Sequence, residues 1–236
     1  PVPEGSAHAP QNQQIPRLPL TPPSEILQFE THHNWLPESY DNTELSVFDG
    51  AYDTHLHAAA TGTVLHRILC QLQKDGLVEW DQDRISQAKP FWAAQLSQLG
   101  VHSNIIPPAL NLLADTVRTV LQDPKGVWVL SNEHHASESE YQLHYGQPPK
   151  LAIVDRTFID KEGTRWIIDY KSTVPKENIE LEAFYAAEIA RYKTQLAFYT
   201  GLLRQLDKNT QRKEVKQYKA ALYFPRLCEL VEVSLP

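Results

Sequence analysis

The stretch Leu151–Lys171, LAIVDRTFIDKEGTRWIIDYK, reads as two strands joined by a tight turn. Asp160-Lys161-Glu162-Gly163 is the turn signal, with Gly163 placed for a left-handed position. A three-residue loop at 161–163 sets Asp160 opposite Thr164 and, further out, Phe158 opposite Trp166. The same register brings Asp155 opposite Asp169, with Cβ atoms roughly 4.5–5.5 Å apart and both carboxylates on one face. Lys171, two residues beyond Asp169, shares that face. A one-residue slip would send one carboxylate to the other side.

Two carboxylates at that spacing repel, and their protonation is coupled unless a cation lies between them. Oxygen ligands favour Mg²⁺ or Mn²⁺. Such an ion polarises a phosphate and lowers the pKa of a water, and Lys171 could stabilise developing charge or orient the water. A salt-bridged surface hairpin would show the same D-x-K pattern, and Asp123-Pro124-Lys125 carries it in a turn. The hairpin copy differs because Trp166-Ile167-Ile168 leads into it, which sets the charges at the end of a buried strand.

Around this hairpin the chain has 236 residues, 42% of them hydrophobic and 22% charged, ordinary values for a folded water-exposed protein. No apolar run approaches the ~20 residues that span a bilayer. Cys70 and Cys228 lie far apart without a C-x-x-C partner, which argues against a disulfide framework, a zinc ribbon or a four-cysteine iron–sulfur cluster. A reducing cytoplasmic setting is the expectation. The net charge of −7 gives no global nucleic-acid footprint, although an enzyme that gathers acidic ligands around a metal, or receives DNA from a partner, tolerates it. Opening on Pro1 reads as part of a longer protein.

Residues 1–24, rich in Pro and Gln, read as an arm or linker, and 25–236 as the folded domain, with 25–50 wrapping it as extended chain. Helical spacing of Val64, Leu65, Ile68, Leu69 and Leu72 predicts a helix from about Thr61 to Gly76. Further helices are expected at Phe91–Leu99, Pro108–Leu121 and Ile179–Leu206, the last with Phe184, Ile189, Tyr192, Leu196, Tyr199 and Leu203 as its apolar face. Strands are expected at Val127–Leu130, Ser139–Tyr145, Ala220–Phe224 and Leu230–Val233. That order is a mixed α/β layer rather than regular βαβ alternation.

Four segments resemble, in order, the successive motifs of the RecB-type nuclease domain, a branch of the PD-(D/E)xK superfamily: GTVLH at 62–66, VDR at 154–156, IIDYKS at 167–172 and RYKTQLAFY at 191–199. The similarity is to nuclease domains at the C-terminus of UvrD-like helicases, as in the RecB and AddA subunits of bacterial helicase–nucleases. The resemblance implies a restriction-endonuclease-like mixed β-sheet flanked by helices. It also implies an Mg²⁺- or Mn²⁺-dependent deoxyribonuclease, exonuclease-like, in the bacterial cytoplasm, acting in DNA repair or recombination on single-stranded DNA ends delivered by helicase domains. It makes His66, Asp155, Asp169 and the Tyr170 carbonyl metal ligands and Lys171 the catalytic lysine. Gln195 and Tyr199, four apart on one helix face, would brace the site or contact DNA. Glu140 fits the family's acidic position on the preceding strand, with Glu133 and Glu138 as rivals. His55, His57, His134 and His135 match no motif and read as surface histidines. The ATP-binding G-x-x-x-x-G-K-[ST] stretch of the helicases is absent from these residues. An inactive nuclease-like scaffold that binds DNA or a partner is the alternative.

Overall fold

The computed structural model describes residues 51–235, so the arm assigned to 1–24 and the wrap assigned to 25–50 lie outside the described residues. Helices α1 (Ala51–Asp75), α2 (Gln82–Gln98), α3 (Ile106–Gln122) and α4 (Pro124–Leu130) come first. Strands β1 (His135–Tyr145), β2 (Lys150–Ile159) and β3 (Thr164–Tyr170) follow, then helix α5 (Leu181–Asn209) and strands β4 (Gln217–Phe224) and β5 (Glu229–Val233).

The strands stand in the order β1-β2-β3-β4-β5. Only β3 and β4 run parallel, and α5 is the crossover between them. One face of the sheet packs on α1–α4. Val64, Leu65, Ile68, Leu69 and Leu72 of α1 meet Phe158, Trp166, Ile168 and Tyr170 there, with Trp92 and Val117 behind them. The other face packs on α5, where Ile167, Ala220, Leu222 and Phe224 meet Leu196, Leu202 and Leu203. Each large apolar side chain buried in these layers contributes roughly 1.5–3 kcal/mol. This is the mixed sheet flanked by helices that the resemblance implied. Every residue of β3 is buried, because the strand has neighbours on both edges and helices on both faces.

The hairpin has the expected register: Phe158 faces Trp166, and Arg156 faces Ile168. The turn closes with Asp160 N–H donating to the Thr164 carbonyl at 3.0 Å. Gly163 sits at φ +86, and a Cβ there would lie 2.6 Å from the Glu214 carbonyl, so both backbone angle and space require glycine.

Three expectations need correction. The first helix begins at Ala51, ahead of Thr61. The second begins at Gln82, where the Asp81 side chain caps the Arg84 N–H, and it continues through Pro90. Val127–Leu130 is helical, not a strand. Asp123 accepts from the Gly126 N–H at 2.7 Å and Pro124 occupies the first turn. This Asp-Pro start nucleates a short helix despite the β-branched Val127 and Val129.

Candidate active site

The ladder between β2 and β3 runs from Ile159↔Arg165 to Arg156↔Ile168 and stops there. The next pair outward is Asp155 and Asp169, so the carboxylates stand where the two strands part. Asp155 stitches this fork: its Oδ2 accepts the Tyr170 N–H at 2.8 Å. The same oxygen is 3.5 Å from Nδ1 of His66, which α1 delivers from outside the hairpin. The His66 ring also meets Tyr170 edge-on, with centroids 5.7 Å apart. One turn earlier on α1, Gly62 lies against the segment after β3, where a Cβ would be 2.6 Å from Ser172 Oγ. Small size at Gly62 therefore lets α1 approach closely enough for His66 to reach Asp155.

Asp169 and Lys171 occupy the α5 side of the fork. Arg165, Ile167, Asp169 and Lys171 alternate onto one face of β3, toward α5. Asp169 is 6% exposed. Burial and the neighbouring Asp155 charge push its carboxyl up to about 6 against the pull of Lys171 and His66. The Lys171 ammonium makes a close ionic contact with the buried Asp169 Oδ2. The same ammonium sits 3.3 Å above the centre of the Tyr192 ring on α5. Burial alone would lower the His66 pKa, but its hydrogen bond with Asp155 and the charges of Asp155 and Asp169 outweigh this and raise it. The fork thus sets His66 against Asp155 and, beside them, Lys171 against Asp169.

Helix α5 forms the wall. Gln195 Nε2 donates to the Tyr199 hydroxyl at 2.8 Å, four residues apart as the helical spacing requires. Burial raises the Tyr199 pKa, and the charges of Asp169 and Asp155 add to the shift despite the Gln195 bond, so the ring lies within their field. Thr173, just past Lys171, donates to buried Glu188 at 3.1 Å and ties the end of β3 to this helix.

Compared with known families, residues 43–232 match the one described as the PD-(D/E)XK nuclease superfamily. The chain belongs to the PD-(D/E)XK nuclease superfamily. No curated protein matches it. Members of the superfamily are mostly nucleases and generally use divalent metal ions. Among the described residues of this PD-(D/E)XK domain, no helix is long and apolar enough to cross a membrane.

The donor set fits an oxygen-seeking divalent cation in its chemistry: two carboxylates and one imidazole. As arranged, however, no three His, Cys, Asp or Glu side chains among the described residues form a group able to hold a metal ion. His66 meets Asp155, while Asp169 turns to Lys171.

Glu140 lies across the β1–β2 ladder from Asp155, between the pairs Ser139↔Arg156 and Tyr141↔Val154, but its carboxylate turns to α1. It adopts φ 50, and its Oε2 accepts from Cys70 Sγ at 3.4 Å, one turn along α1 from His66. Glu133 and Glu138 are exposed. Two histidines expected at the surface are not there: His57 is buried against His102, and His134 is half-buried, stacked 4.0 Å from Phe158. Both lie beside aromatic partners distant in sequence, which no local pattern announces.

Sequence reasoning also missed Arg156. Its fully buried guanidinium donates to the Val129, Ser131 and Glu138 carbonyls and to Ser137 Oγ. Burial lowers its pKa. It pins the α4–β1 connection to β2 beside Asp155. The adjacency of Asp155 and Arg156 in the VDR motif was the available signal.

Proposed function

We propose that this chain is a divalent-metal-dependent deoxyribonuclease of the RecB type, cutting phosphodiester bonds of single-stranded DNA ends, with helicase domains of a longer chain or complex as its partners. The observation that carries the reading is the convergence of His66, Asp155, Asp169 and Lys171 at the fork of β2 and β3. Mg²⁺ or Mn²⁺ would be held by His66, Asp155, Asp169 and the Tyr170 carbonyl. When bound, the ion supplies Lewis acidity toward the phosphate and lowers the pKa of a water. His66 and Asp169 must lose their protons to act as ligands. Lys171, once released from Asp169, carries its charge to the phosphate oxygens, with the Tyr192 face holding the ammonium in place. Gln195 and Tyr199 brace this wall of the site.

The test is cleavage of a labelled single-stranded oligonucleotide by the full chain with Mg²⁺ or Mn²⁺. Asp169→Asn and Lys171→Ala should each abolish cleavage while circular dichroism shows the fold intact. Undiminished cleavage in both variants would overturn the reading. Calorimetric titration with Mn²⁺ separates the alternative, since a scaffold without a metal site would bind no Mn²⁺ that Asp169→Asn removes.

A further inference from the structure

We propose that the cleft at the C-terminal end of α5 is a second nucleic-acid site that grips backbone phosphates away from the carboxylate fork; this rests on the nuclease reading of the chain. Arg204, Lys208, Arg212 and Lys213, with Tyr218 of β4, border an open cleft of about 450 Å³. Asp207 also lines it, but its charge is already matched. Its Oδ1 takes Arg165 Nη2 at 2.5 Å, and its Oδ2 takes Arg165 Nε and the Tyr218 hydroxyl at 3.1 Å each. Arg165 and Asp207 are both buried and pair internally, and Arg212 Nε also lies 3.5 Å from Asp207 Oδ1, so of the four rim cations Arg204, Lys208 and Lys213 are the ones that face solvent. Glu214, 3.8 Å from Arg212, offsets part of the Arg212 charge as well.

Such a concentration of positive charge stands out in a chain with 29 acidic and 22 basic side chains. Cations near a helix C-terminus compensate the helix dipole, which accounts for Lys208 in the last turn. It does not account for Arg212 and Lys213, which lie beyond Asn209, where α5 ends. Arg204 lies 5.1 Å over the Tyr218 ring, which fixes its guanidinium on the cleft wall. A planar donor fork with flexible ammonium groups around it suits a chain of phosphates.

The place of the cleft in the sheet gives it a use. Tyr218 pairs with Arg165, and Leu222 pairs with Asp169. The cleft therefore sits at the end of β3 opposite the fork, displaced by four strand residues, about 13 Å along the sheet. A strand whose reacting phosphate lies at Asp169 would present other phosphates within that reach, roughly four nucleotides away at the ~3.4 Å spacing of a stacked strand. The cleft would supply the affinity that the acidic overall charge withholds.

The experiment is binding of a fluorescent single-stranded oligonucleotide to the full chain in EDTA, so that no cleavage intervenes, across about 50–200 mM salt. Arg204→Gln, Lys208→Gln and Lys213→Gln are combined; all three side chains are exposed, so the fold is spared. The triple variant should bind about tenfold or more weakly at low salt. Its log–log salt slope should be shallower by about 2, at ~0.7 for each phosphate that is no longer neutralised. An unchanged slope, or no DNA binding by the unaltered chain, overturns the proposal. Equal displacement of the oligonucleotide by poly-glutamate at matched ionic strength also overturns it, because the cleft would then take any polyanion. If the slope changes while the unaltered chain cleaves nothing with Mg²⁺ or Mn²⁺, the cleft stands and the nuclease reading alone falls.

Discussion

Asp207→Ala removes the counter-charge of a guanidinium that has nowhere else to go. The Arg165 and Asp207 side chains are 3% and 2% exposed, and their contact joins the site strand β3 to the site wall α5. The substitution strips Arg165 of two charge-assisted hydrogen bonds and Tyr218 of one acceptor. Removing one partner of such a buried pair costs about 3–5 kcal/mol, mostly the penalty of an unmatched buried charge. Against a total stability of about 5–15 kcal/mol this is a large fraction. With a urea dependence of about 3 kcal/mol/M, the unfolding midpoint should fall by about 1–1.7 M at unchanged slope. Arg165→Met combined with Asp207→Leu should recover most of the loss, because no charge is then stranded. A cost below about 1 kcal/mol for Asp207→Ala, or a double variant no more stable than the single one, would refute the reasoning.

Other outcomes follow from the fork and its surroundings. Asp169, raised to about 6, and His66, also raised, favour their protonated forms in the folded state. Their stabilisation is therefore full at low pH and, without metal, is lost as pH rises through about 6 for Asp169 and above the ordinary histidine range for His66. Metal binding needs both groups deprotonated, so Mn²⁺ should stabilise the chain increasingly over the same window; identical pH slopes with and without Mn²⁺ in thermal unfolding would contradict this. Tyr192→Leu should lower kcat about 30-fold with little change in KM, from a desolvated cation–π contact worth about 2 kcal/mol, while Tyr192→Phe keeps the ring face and stays within a few-fold of the original; equal loss in both variants counts against the positioning role. Gly126→Ala should destabilise by about 1–3 kcal/mol, because the new Cβ would lie 2.7 Å from the Val120 carbonyl and 2.6 Å from the Tyr223 hydroxyl. Gly201→Ala, in the interior of α5 with nothing within 4 Å of its Cβ, should stabilise by about 0.5–1 kcal/mol, and melting temperatures of the two variants should move in opposite directions.

The hairpin register was readable because a short turn with an obligatory glycine at Gly163 determines every pair outward from it, as Phe158↔Trp166 shows. The contact between Asp155 and His66 was not readable from the hairpin, since it joins elements far apart in sequence; only motif order suggested it. Periodicity marks Tyr192 only as part of the apolar face of α5, because it reports which side of the helix is inward and not that the Lys171 ammonium meets the ring. Arg156 escaped because a fully buried cation satisfied by backbone carbonyls has no signature beyond the VDR segment. At α4 the error ran the other way: Val127-Trp128-Val129 has strand-like composition, and the Asp123 cap with Pro124 overrode it.

The interior position of β3 bears on how the protein would lose its activity. A strand bonded on both edges and covered on both faces exchanges its amide hydrogens only when most of the structure opens. Asp169 belongs to that strand, and Asp155 is tied to it through the Tyr170 amide. The carboxylate pair therefore has no cheap local route to disassembly. The amides of β3 should be among the last to exchange, and warming should abolish metal binding only as the whole sheet comes apart.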